Sequence, residues 1–116
     1  MKKYRVVFHL DEGGKGRVDM TLNNIDNLIT ELGEENVDVE LVSNSEGVTA
    51  FLRVPALHEA KVKRLAAKGV RFAVCANSLR QFGLTEDALL DQAEVVPAGV
   101  GELVRKQAEG WAYIRP

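Results

Sequence analysis

Val70-Arg71-Phe72-Ala73-Val74-Cys75-Ala76-Asn77-Ser78-Leu79-Arg80 carries the clearest structural signal in this chain. Val70 to Cys75 is apolar except for Arg71, rich in branched and aromatic side chains, and too short for a helix of ordinary length, so it reads as a strand. Ala76-Asn77-Ser78 then reads as a turn leading into a short helix around Leu79 to Phe82. Gly69 stops the helical pattern that precedes the strand. The stretch is therefore a helix end, a buried strand and a helix start in succession, which is the repeating unit of an α/β protein.

Working toward the N-terminus, a helix is predicted from about Leu57 to Lys68, after the break at Pro55, with Val62, Leu65 and Ala66 inward. Glu46 to Leu52 reads as a short helix. Val37 to Ser43 reads as a strand in which Asp38 and Glu40 alternate with Val37, Val39 and Leu41, predicting one wet face and a place near a sheet edge. Before it, Val18, Leu22, Ile25, Leu28, Ile29 and Leu32 recur at helical spacing up to Gly33. Tyr4 to Leu10 is a first strand covered on both faces, followed by the loop Asp11 to Gly16.

Toward the C-terminus, Thr85 with Glu86 and Asp87 reads as an N-cap and acidic first turn of a helix through Leu90. Glu94-Val95-Val96 is a fourth strand. Gly99 to Glu109 carries Val100, Leu103, Val104 and Ala108 at helical spacing, Gly110 ends it, and Trp111 to Ile114 is a last strand. Strands alternating with helices predict an α/β fold with a mostly parallel sheet of about five strands and helices on its faces.

The 116 residues, 46% of them hydrophobic, suffice for one packed core, so residues 1–116 are expected to form a single domain. The charged residues, 28% of the chain, mix both signs to a formal net charge of -2, and no direct nucleic-acid partner is expected without a basic field. No stretch approaches the roughly 18 apolar residues that span a bilayer, so no membrane partner is expected. The apolar run Val6 to Leu10 is too short for a signal peptide, and a lone cysteine fits a reducing compartment, which together predict a cytoplasmic protein.

Chemistry is expected at the carboxyl ends of the strands, where loops and helix starts converge in open parallel sheets. Cys75 ends its strand there. Backbone N–H groups of a helix starting near Asn77 or Ser78 would point at the sulfur and favour thiolate over thiol, and Arg80, one turn on, adds positive charge if its side chain folds back. A thiolate is the form that attacks a sulfane sulfur and holds it as a persulfide. The same position also suits a small buried hydrophobe at the end of a core strand, since free cysteine is among the most buried residue types. Both readings stand on the residues alone.

His9 and Asp11 lie at the same edge. His9 could take the thiol proton only from an adjacent strand. With the second strand between them it would stand roughly 9 to 10 Å away, and the imidazole would instead be satisfied by loop backbone. His9, His58 and Cys75 show no ligand spacing, and no metal centre or cofactor is expected. Gly13-Gly14-Lys15-Gly16 invites a phosphate reading, yet it lacks the closing Gly-Lys-Ser/Thr and the third glycine of the dinucleotide fingerprint. A mobile loop is the plainer alternative, and Lys15 and Arg17 could receive an anionic partner surface. Val48, Phe51, Leu52 and Val54 form an apolar group suited to core or to a subunit interface, and Trp111 and Tyr113 read as packing.

Val74-Cys75-Ala76-Asn77-Ser78-Leu79-Arg80, with Lys68-Gly69-Val70 before it, Gly83-Leu84 after it, and the tail Val95-Val96-Pro97-Ala98-Gly99 to Gly110-Trp111-Ala112-Tyr113-Ile114, resembles the DsrE/DsrF-like family of small sulfur-relay proteins. The resemblance implies a three-layer α/β/α subunit of flavodoxin-like architecture that assembles as a homo-oligomer, a trimer or hexamer. It implies that Cys75 accepts sulfane sulfur as a persulfide from a donor protein and passes it to an acceptor protein; the supporting residues, Asn77, Ser78, Arg80 and His9, follow from their positions at the sheet edge and helix start and not from the resemblance. The alternative is a non-catalytic oligomeric or small-ligand-binding module of the same fold in which Cys75 is structural.

Overall fold

The computed structural model describes residues 2–116. Five strands, β1 (Tyr4–Leu10), β2 (Val37–Ser43), β3 (Arg71–Cys75), β4 (Ala93–Val96) and β5 (Ala112–Ile114), form one all-parallel sheet in the order β4-β3-β2-β1-β5. Four helices connect them: α1 (Lys15–Leu32), α2 (Glu59–Ala67), α3 (Ala76–Gln81) and α4 (Gly99–Ala108). Three short 3₁₀ segments, Glu34–Asn36, Ser45–Phe51 and Glu86–Ala88, complete the elements.

Side chains alternate across each strand, so the sheet has two distinct faces. On one, Val6, Phe8, Val39, Leu41, Phe72 and Val74 meet the inner sides of α1, α2 and α3. The apolar stripe of α1 predicted by its spacing is the stripe that is buried, through Val18, Leu22, Ile25 and Ile29. Gly33, at φ 98°, ends that helix and returns its N–H to the Ile29 carbonyl at 2.9 Å. Phe72 and Phe51 pack as a tilted pair with ring centres 5.5 Å apart, and truncating Phe72 to alanine is expected to cost about 3–5 kcal/mol. On the other face Val7, Val42, Ala73 and Leu103 form a smaller group under α4, with Trp111 against it.

The path of the chain explains this asymmetry. From β1 to β4 the chain passes through β2 and β3 toward one edge, with its connecting helices on the first face. The connection from β4 to β5 returns across the whole sheet, and α4 alone covers the second face on the way.

Several expectations are corrected here. β2 lies at the centre of the sheet rather than near an edge, and Glu40 is completely buried, because α4 covers the face that the Asp38/Glu40 alternation assigns to water. No turn separates β3 from the next helix: Cys75 is itself the extended residue before α3 (φ -70°, ψ 118°), since Ala76, Asn77 and Ser78 suit a first helical turn as well as a loop. The helix expected from Thr85 to Leu90 is only the 3₁₀ segment Glu86–Ala88. Val100 and Val104 face outward, 60% and 66% exposed, while Leu103 and Glu102 face the sheet. Of the apolar group after β2, Val48 and Phe51 are core and Val54 is exposed. The glycine loop is closely packed at Gly13, where a Cβ would stand 2.6 Å from the Glu46 carbonyl oxygen and from the Thr49 hydroxyl.

Candidate functional site

Cys75 sits at the carboxyl end of β3 and is 5% exposed. β3 places the residue at the rim because its apolar run ends there, and α3 begins at once, so the N–H groups of Asn77 and Ser78 are directed back at the sulfur. A second helix start converges on the same atom. Val96, beside Cys75 in the sheet, ends β4, and Pro97-Ala98 turn the chain so that α4 opens at Gly99 with its N–H toward Cys75.

Burial opposes ionisation of the Cys75 thiol. The Ser78 hydroxyl and the backbone N–H groups of Gly99, Ser78 and Asn77 together outweigh it, and the thiol lies below its ordinary range. The α3 backbone N–H groups act on the sulfur as converging dipoles, since Cys75 accepts no capping hydrogen bond from α3. The direction of the Ser78 hydroxyl follows from its neighbour. Its oxygen accepts the Ser45 N–H at 2.7 Å, which leaves its O–H free to donate to Cys75. Ser45 has φ 51°, a conformation costing about 1 kcal/mol or more for a residue with a side chain, and the bond to Ser78 helps to hold it.

The supporting residues expected from the sequence divide between two places. Asn77 and Ser78 lie at the sulfur through their backbone N–H groups. Arg80 does not fold back toward Cys75; its guanidinium donates to the Asn77 side-chain oxygen on the exposed side of α3. His9 is the penultimate residue of β1, and β2 lies between it and Cys75. Its ring bridges the Tyr113 hydroxyl at 2.6 Å and the Asn44 Oδ1 at 2.9 Å. In the neutral ring Nε2 donates to that oxygen and Nδ1 accepts from the Tyr113 hydroxyl.

Sequence reasoning missed Gly99 and Asn44. A Cβ on Gly99 would stand 3.3 Å from the Cys75 Cβ and 3.1 Å from the Asn44 Cβ, so only glycine lets α4 approach the thiol without displacement. The available signal was Pro97-Ala98-Gly99 directly after a strand, a βα junction at the same sheet edge as Cys75. Among the described residues no group of His, Cys, Asp or Glu is arranged to hold a metal ion, and no helix is long and apolar enough to cross a membrane.

A parallel sheet with one cysteine at its carboxyl rim, set between two helix starts, defines a small α/β protein with its lone thiol at the edge where such sheets gather their sites. The chain belongs to the DsrE/DsrF-like family, which is associated with sulfur relay and whose sequence pattern matches residues 3–116. It is similar to MTH1491, a protein of unknown function from Methanobacterium thermoautotrophicum, with 46% identity over 97% of this chain and 99% of that one and a TM-score of 0.92. The YchN protein of E. coli shares the fold, with 19% identity over 97% and 99% of the two chains and a TM-score of 0.83. No curated protein sequence matches the chain.

Proposed function

We propose that this protein is a sulfur carrier in which Cys75 accepts sulfane sulfur from a donor protein and hands it to an acceptor protein. The observation that carries this reading is the convergence of the Ser78 hydroxyl and the N–H groups of Asn77, Ser78 and Gly99 on one sulfur, which favours the attacking form of the thiol. The Cys75 thiolate attacks the outer sulfur of a donor persulfide. The new S–S bond forms as the donor's own S–S bond breaks, and the donor leaves as a thiolate. Attack by an acceptor thiolate on the outer sulfur then regenerates the Cys75 thiolate. Sulfane sulfur is transferred without net oxidation, and no cofactor takes part.

Membership of the family supports assembly of copies into a trimer or hexamer as part of the same proposal, with the exposed Val100 and Val104 beside the rim available for burial between subunits. A second reading draws on a different observation: Cys75 is 5% exposed, which suits a packing cysteine in a non-catalytic module.

Incubation with a donor persulfide separates the two. Loading adds about 32 Da to the intact protein and disappears in Cys75→Ser, as thiol exchange requires. A folded protein whose Cys75 resists both loading and alkylation at neutral pH overturns the carrier reading and leaves the packing one.

A further inference from the structure

Glu40 stands in the middle of the central strand with no exposed surface, and both of its carboxyl oxygens are buried without a hydrogen-bond donor. From β3, Arg71 Nη1 comes to 3.4 Å of Oε1, and from α4, Lys106 Nζ comes to 3.6 Å. Both are longer than the hydrogen bonds of a close ion pair. β1 places Val7 alongside Glu40 and contributes no charge. Arg71 is shared with Glu94 of β4 at 3.4 Å. The remaining neighbour is Glu102 of α4, itself buried and held by Arg105 at 3.0 Å. Glu102 lies one turn before Lys106 on the buried side of α4, which sets its carboxyl beside Glu40 at the helix–sheet interface.

Two neighbouring buried carboxylates repel when both are ionised. One proton between them makes an O–H···O⁻ hydrogen bond in a water-poor layer. Burial first, then the contact with Glu102, pushes Glu40 up to about 7, while the bond to Glu40 helps to hold Glu102 below the usual carboxylate range. The pair titrates as a unit. Its link to the thiol is mechanical: Glu102 lies one helical turn beyond Gly99, and its N–H bonds the Ala98 carbonyl at 3.1 Å, so the first turn of α4 moves with it. Direct action of the charge is weak. Glu40 pairs with Arg71 in the sheet, four residues before Cys75, or ~13 Å at ~3.3 Å per residue.

We propose that the Glu40–Glu102 pair is a proton-dependent latch that seats α4 on the sheet and thereby sets the reach of the Gly99 N–H to Cys75. Glu40 and Glu102 are thus positioning residues for the thiol. The inference rests on the reading of Cys75 as the reacting group. With one proton shared, the helix is seated and Gly99 stabilises the thiolate; with both carboxylates ionised, the repulsion loosens the first turn and the thiol loses that donor. Glu40→Gln replaces the shared proton by an amide that donates to Glu102 at every pH.

The test combines amide exchange with thiol titration. In the wild type, protection of the Glu102 and Leu103 amides, corrected for intrinsic base catalysis, should fall about 10-fold from pH 6 to pH 8, the effect of one pKa unit. The thiolate absorbance of Cys75 should rise over a broader pH range than a single ionisation gives. In Glu40→Gln the protection should be flat and the thiol titration simple. Equal profiles in the two proteins overturn the latch. If Glu40→Gln does not fold, Glu102→Gln repeats the comparison, and carboxyl NMR of the wild type decides independently: both glutamates titrating near 4.5 as ordinary carboxylates overturn it. Sulfur loading measured at pH 6 keeps the two proposals apart. Absent loading with intact pH coupling ends the carrier reading alone, and normal loading with uncoupled profiles ends the latch alone.

Discussion

The Gly99 backbone packs against Cys75 so closely that a Cβ on Gly99 would lie 3.3 Å from the Cys75 Cβ, and 3.1 Å from the Asn44 Cβ. This contact brings a second helix start to the thiol. Gly99→Ala should shift the first turn of α4 by a few tenths of an ångström and weaken its N–H on the sulfur. The thiol titration should move to higher pH, and stability should fall by about 1–3 kcal/mol, the usual range for overpacking. Thiolate absorbance against pH and thermal unfolding measure the two effects. An unchanged titration would remove Gly99 from the site.

Ser78→Ala removes the hydroxyl that donates to Cys75 and the oxygen that accepts the Ser45 N–H at 2.7 Å. The Cys75 thiol should become less acidic, and iodoacetamide alkylation at pH 7 should slow several-fold. An unpartnered N–H at a partly buried site adds about 1–3 kcal/mol of destabilisation. Ser78→Thr, which keeps the hydroxyl, should restore most of the alkylation rate if the residue acts through its oxygen.

Arg80→Ala provides the contrasting case. The guanidinium is exposed and engaged by the Asn77 side chain rather than by the sulfur. Its removal should leave the thiol titration and alkylation rate within error of the wild type and change stability by less than about 1 kcal/mol. A marked fall in reactivity would show that Arg80 reaches Cys75 in solution.

His9→Phe should lower stability by about 1–2 kcal/mol, because the Tyr113 hydroxyl and the Asn44 Oδ1 both lose a partner. Cys75 alkylation should keep its pH dependence, since β2 separates the two residues. A lost alkaline or acidic limb in the variant would instead make the imidazole the thiol's base.

The stability of the fold should carry the signature of its buried acids. Glu40 is raised above its unfolded value of 4.5 to about 7, so its contribution is complete below the unfolded value and is lost as pH rises to about 7. Glu102 is lowered, so its contribution is present above 4.5 and is lost as pH falls. Urea unfolding from pH 5 to pH 8 should therefore show wild-type stability declining relative to Glu40→Gln, by on the order of 2–3 kcal/mol, since the Glu102 contribution is already complete at pH 5 and does not change across this window. A constant difference between the two proteins would contradict this.

Much of this protein was legible in its chain, because local rules govern those parts. The α1 stripe of Val18, Leu22, Ile25 and Ile29, the Gly33 stop, the β1 and β2 boundaries and the rim position of Cys75 all follow from side-chain periodicity and from glycine's tolerance of a positive φ. Tertiary structure decided which helix covers the second face. Only the return of α4 across the sheet buries Glu40, turns Val100 and Val104 outward and brings Gly99 and Asn44 to the thiol. An alternating Asp38/Glu40 pattern has the same local form whether water or a carboxyl group lies above it, and a glycine after Pro97-Ala98 has the same local form wherever its N–H points. Those properties belong to pairs of residues far apart in sequence, so they exist only once the sheet order is set.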